Sequence, residues 1–111
     1  MLFRSRLNRE WAAKPARVHA IVEYYRASES GFGRLLEGRG YPADEVGTHA
    51  GLADTALMMA LDPALVRGDR LKPGEGVSGD PRRATAELGA LGVTAIVDQT
   101  VAAIKQAVAR H

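Results

Sequence analysis

Apolar positions in this chain recur at more than one period, and the longest nearly unbroken apolar block is Leu52 to Leu61, in which Asp54 and Thr55 are the polar members. Gly47, Ala50 and Gly51 precede it and Asp62-Pro63 follows it, which predicts a turn feeding a buried helix that stops before Pro63. Phe3, Leu7 and Trp11 repeat every four residues among Arg4, Arg6 and Arg9, the pattern of an amphipathic helix with a basic outer face over residues 1–14, ended by Pro15. Arg17 to Tyr25 has the β-branched and aromatic bias of a strand, is apolar on both faces near its middle, and reads as a central parallel strand.

A second helix is expected from Ser28 or Ser30 to Glu37, carrying Phe32, Leu35 and Leu36 and closed by Gly38 and Gly40. Leu65-Val66 is a short extended piece, and the glycines and Pro73 between Arg67 and Gly79 spell a loop. The last helix is expected to begin at Ser78 or Asp80, with Pro81 in its first turn. Leu88, Leu91, Val97, Val101, Ile104 and Val108 keep a three-to-four spacing, interrupted around Gly89 and Gly92, and place a broad face on a sheet. The expectation is an α/β fold, helix-rich, forming a single domain over residues 1–111.

Composition narrows the class. A chain of 111 residues holds one small domain and buries roughly two-thirds of its unfolded surface. With 46% apolar and 25% charged residues it is globular in composition. The absence of Cys excludes a disulfide scaffold and a thiolate ligand and suits a cytoplasmic setting. A net charge of +2 does not argue for nucleic acid, and no uninterrupted apolar run approaches the ~20 residues of a membrane span. Neither nucleic acid nor membrane is expected as a partner.

Candidate chemistry centres on His49, which stands just before the first turn of the buried helix, where unpaired N–H groups and the helix dipole favour an anion or a polarised carbonyl oxygen. Thr48 is either a hydrogen-bond donor to substrate or the helix N-cap, and with Gly51 it is a candidate for substrate binding. Asp44 and Glu45 are close enough in sequence to orient the imidazole, or are ordinary loop carboxylates. Glu23 and Tyr25, at the carboxyl end of the expected strand, are pocket-wall candidates. His19, His49 and His111 are dispersed without metal-ligand spacing, so no metal is expected to be bound by this chain alone.

The run Gly47-Thr48-His49-Ala50-Gly51-Leu52-Ala53-Asp54-Thr55-Ala56-Leu57-Met58, with Asp62-Pro63-Ala64-Leu65-Val66 after it, resembles the His-Ala-Gly-x-x-(Glu/Asp)-Thr-(Ser/Ala)-Leu-Met motif of the creatininase (creatinine amidohydrolase) family. The resemblance extends back to Ala16-Arg17-Val18-His19 and Glu23-Tyr24-Tyr25, and forward to Val77-Ser78-Gly79-Asp80-Pro81 and Ala84-Thr85-Ala86-Glu87. It covers the C-terminal half of a family member. It implies a partial three-layer αβα, Rossmann-like parallel sheet truncated on its N-terminal side, and a metal-dependent hydrolysis of a cyclic or linear amide in which two divalent ions, zinc or manganese, activate water.

In that reading His49 shuttles a proton, and Asp54 matches an acidic position that orients its neighbours. Leu52 stands where family members often carry Glu. The family's metal-ligand motifs, a Glu-x-His pair, an Asp and a Gly-His followed by Gly-Gly-Asn or Tyr-Glu-Asn, are missing from this sequence. The chain is therefore expected to be inactive alone, and to take as partners an amide substrate and either a complementing N-terminal half or further copies of itself through the strand around Val18 to Val22. The alternative is a non-catalytic oligomerisation or interaction remnant.

Overall fold

The computed structural model describes residues 2–110. The helices are α1 (Leu2–Glu10), α2 (Val22–Tyr25), α3 (Phe32–Gly38), α4 (Ala43–Val46), α5 (Leu52–Leu61) and α6 (Ala86–Ala109). A π-helical segment, Arg26–Gly31, joins α2 to α3 without a break, and 3-10 turns occupy Pro63–Leu65 and Gly68–Arg70. Among the described residues there is no β-strand; the β-type pairing is one antiparallel bridge between His49 and Ser78. The expected α/β fold, with its partial three-layer Rossmann-like parallel sheet, is therefore corrected to an all-helical one.

The expected strand at 17–25 fails for a local reason. Asn8 uses its side chain as a two-way clamp: Nδ2 donates to the Val18 carbonyl at 3.0 Å and Oδ1 accepts from the Val18 amide at 2.8 Å. The amide and carbonyl that Val18 would offer to a ladder are thereby taken. Arg17 folds back with its guanidinium donating to the carbonyls of Trp11, Lys14 and Ala16 at 3.1, 2.5 and 2.7 Å, which closes the turn after α1. From Val22 onward the chain is helical, so Glu23 and Tyr25 sit on α2 and not at a strand end. The strand edge expected to recruit further copies at Val18 to Val22 does not exist, and the helix expected from Ser28 or Ser30 starts upstream of both.

The core sits where α3, α4, α5 and the start of α6 meet, around Phe32, Leu36, Val46, Leu52, Ala56 and Ala84. Gly89 and Gly92 do not interrupt α6. They are where α6 presses on its neighbours. A Cβ on Gly89 would collide with the Ala56 carbonyl, and one on Gly92 would stand 2.9 Å from the Phe32 ring. Helix α6 begins at Thr85, whose hydroxyl accepts from the Leu88 amide at 3.1 Å, five residues beyond Asp80. Leu65 lies in a 3-10 turn and not in an extended piece.

The molecule is long, 55 × 26 × 25 Å, with a radius of gyration of 17.6 Å, against roughly 13 Å for a compact domain of this length. Large apolar side chains are correspondingly exposed along α6 and on α2. Helix α6 is also long and apolar enough to cross a membrane by length and composition alone, at a mean hydropathy of 1.3, although no single run in the sequence announced it. Asp98 stands near its middle, a costly group at a bilayer centre, and its first half is packed on α5.

Candidate active-site loop

The loop that carries His49 is built by two backbone segments crossing at van der Waals distance. Gly47 has φ +73° and Gly79 has φ +141°, a region L side chains rarely enter. A Cβ on Gly47 would strike the Ser78 carbonyl; one on Gly51 would stand 2.7 Å from the Val46 carbonyl oxygen; one on Gly79 would stand 2.8 Å from the Gly51 Cα. Small residues around the imidazole are thus required by this crossing, whatever the chemistry beside it.

Hydrogen bonds lock the crossing. The Thr48 amide donates to the Ser78 carbonyl at 2.8 Å, the Ser78 amide to the His49 carbonyl at 2.8 Å, and the Asp80 amide to the Glu45 carbonyl at 2.9 Å. Thr48 Oγ1 donates to Ser78 Oγ at 2.9 Å. Thr48 is therefore not the N-cap of α5; Gly51 holds that position.

The two polar residues inside the apolar block have a common task. Ala50 adopts φ +55°, unusual for a residue with a Cβ. Asp54 Oδ2 accepts from the Ala50 amide at 2.8 Å and Thr55 Oγ1 donates to the Ala50 carbonyl at 3.4 Å. The Ala50 peptide is held on both sides by the first turn of the helix it precedes, a variant of the capping box. Asp54 orients the loop behind His49; its carboxylate is engaged with backbone.

The second crossing segment is pinned by charge. Arg83 grips Glu45 with Nε and Nη2 at 2.6 and 2.5 Å and lies over the Tyr41 ring with 4.5 Å to its centroid. This hydrogen bond, more than the accompanying charge attraction, holds the Glu45 carboxyl below its usual range despite its partial burial. Asp80 is held at about 2 by the Arg82 side chain and by the Arg82 amide. Glu45 is thus committed to Arg83 and does not orient the imidazole.

The His49 side chain is exposed and makes no hydrogen bond or ion pair with the described residues. Thr48 and Asp54 are exposed beside it and Gly51 is buried beneath. Glu23 lies elsewhere, in a cavity of about 540 Å³ lined also by Arg4, His19, Gln106 and Arg110. Tyr25 is 66% exposed and meets Tyr24 edge-on at 5.4 Å. The structure therefore gathers Thr48, His49, Gly51 and Asp54, and leaves Glu23 and Tyr25 outside that group. Ser78, Gly79 and Arg83 escaped sequence reasoning as parts of this loop. The Val77-Ser78-Gly79-Asp80-Pro81 run was their signal, read instead as a helix start.

Among the described residues no three His, Asp or Glu side chains come together to hold a metal ion; His111 lies outside them. The donor set around His49, one imidazole and a carboxylate already bonded to backbone, does not fit the zinc or manganese pair that the family's chemistry usually involves. Neither the curated proteins nor the solved structures contain a match to this chain. The family model for creatinine amidohydrolase matches residues 4–104, which includes the whole of the glycine-crossed loop, and on that match the chain belongs to the creatininase family.

Proposed function

We propose that this chain provides the proton-transfer part of a creatininase-type amidohydrolase centre, and that the metal ligands come from polypeptide outside these 111 residues. The observation that carries the reading is the placement of His49: an exposed imidazole on a backbone fixed by Ser78, by the glycine crossing and by Asp54. An imidazole can take a proton from an attacking water at one ring nitrogen and return it to the departing amide nitrogen. A rigid carrier matters because such a relay works only within hydrogen-bond reach of both atoms. Thr48 and the Gly51 region form the substrate side of the imidazole, and the substrate class is a cyclic or linear amide. We place the protein in the cytoplasm.

The test is complementation. The chain is mixed with an N-terminal half of a family member that bears the missing ligands, with zinc or manganese, and ring opening of creatinine or another cyclic amide is followed. Turnover is expected in the mixture and not from the chain alone, with His49→Ala lowering it by about 10²- to 10⁴-fold. A mixture that never binds metal, or an H49A variant that turns over at the parent rate, rules the reading out. The absence of a metal-ligand cluster among the described residues favours a second reading, a non-catalytic interaction remnant of the family.

A further inference from the structure

Helix α6 carries two apolar faces, and among the described residues only one of them is packed. Its packed face runs through Gly89, Gly92 and Ala103, which are buried. More than a third of a turn away, at ~100° per residue, runs a second row: Ala90, Thr94, Val97, Val101, Ile104 and Val108, all exposed. Val97, Val101, Ile104 and Val108 are 50%, 42%, 45% and 63% exposed. Their steps of four, three and four residues are those of a heptad seam, the spacing with which one helix packs along another.

The flanks of the seam say what fits it. On one side stand Leu91, Asp98 and Lys105; on the other Val93, Thr100 and Ala107, with no charge. Asp98 and Lys105 are exposed and form no ion pair within the described chain. They lie seven residues apart, two turns or ~10.5 Å. A parallel neighbour would set this charged flank against the uncharged one. A reversed copy of the same helix sets the charged flank against itself in opposite order.

We propose that the open seam of α6 receives α6 of a second copy of this chain, packed antiparallel about a two-fold axis near Val101, with Asp98 facing the partner's Lys105 and Lys105 facing the partner's Asp98. The two ion pairs are equivalent by symmetry, as an isologous contact requires. The valines and Ile104 supply the apolar contact and the charges fix direction and register.

The test uses the whole chain in sedimentation equilibrium over a concentration series, with helix content followed by circular dichroism. The mass is expected to rise from the 11.9 kDa protomer to the dimer. Val101→Asp is expected to abolish the rise. Lys105→Asp, on the surface and harmless to the fold, should raise the dimer Kd by about tenfold, and the exchange D98K with K105D should restore it. The natural chain has no Cys, so single thiols report direction: Val101→Cys should cross-link on oxidation, whereas Val97→Cys should not, its mate lying too far along the reversed helix. A monomer at every concentration, association insensitive to V101D or K105D, cross-linking through V97C, or transfer of the chain to lipid vesicles in place of dimer formation would each overturn the proposal.

Discussion

At the loop crossing, backbone lies on backbone and amide–carbonyl hydrogen bonds tie the two segments together; on the C-terminal half of α6, valine and isoleucine side chains face water. The first region spends glycines and polar side chains to hold one histidine in place. The second exposes apolar surface that nothing else in the described chain covers. The contrast sets a loop held by backbone contacts beside a helix face left open to water.

The largest effect is expected from breaking the crossing itself. Gly79→Ala puts a methyl against the Gly51 and Gly47 backbones at a left-handed φ and should destabilise by roughly 3 kcal/mol, read from chemical denaturation. Gly38→Ala is the control, since its methyl meets open space; it should stabilise by about 0.5 kcal/mol. If the two alanines behaved alike, the glycine crossing would not be the rigid element.

Asp54→Ala removes the acceptor for the Ala50 amide and should cost about 1 kcal/mol, with Asp54→Asn retaining much of it. Acid should loosen the same region next. Asp80 and Glu45 both titrate below their ordinary values of 3.8 and 4.5 because arginines hydrogen-bond them. Groups depressed on folding stabilise fully above their unfolded pKa and lose that contribution as pH falls through the folded one. Melting temperature should therefore fall between about pH 4 and pH 2 in excess of the fall seen for D80N with E45Q. The smallest effect is expected on α6: Ile104→Gln or Val108→Gln should alter unfolding free energy by less than about 0.5 kcal/mol while weakening association, which separates the two regions directly.

Much of the loop region was legible in the residues. The helical state of Leu52–Leu61, its stop before Pro63 and the small residues around His49 follow from local pattern, and the helix ends where Asp62 and Pro63 direct; the helix is not the buried one expected, since Met58 and Leu61 are 41% and 67% exposed. The purpose of Asp54 and Thr55 was not legible, because it depends on the φ of Ala50, which no pattern reveals. The strand expected at 17–25 does not form because β-branched residues describe a side-chain preference, while Asn8 occupies the backbone groups of Val18 and the chain turns helical from Val22. The start of α6 was misplaced because Ser78-Gly79-Asp80-Pro81 and Thr85 offer similar capping chemistry. Ser78 is diverted to His49, so Thr85 caps the helix. Gly89 and Gly92 looked like breaks since glycine is poor within helices, yet close contact with Ala56 and Phe32 outweighs that cost.

The wide turn at Arg26–Gly31 has its own consequence. It holds one more residue per turn than the helices around it, so the faces of α2 and α3 are offset by about 100°. Shortening the segment by one residue, for instance by deleting Glu29, would return it to ordinary pitch and swing Glu23, Tyr24 and Tyr25 around the axis, emptying one side of the Arg4 cavity while leaving the Phe32 end anchored.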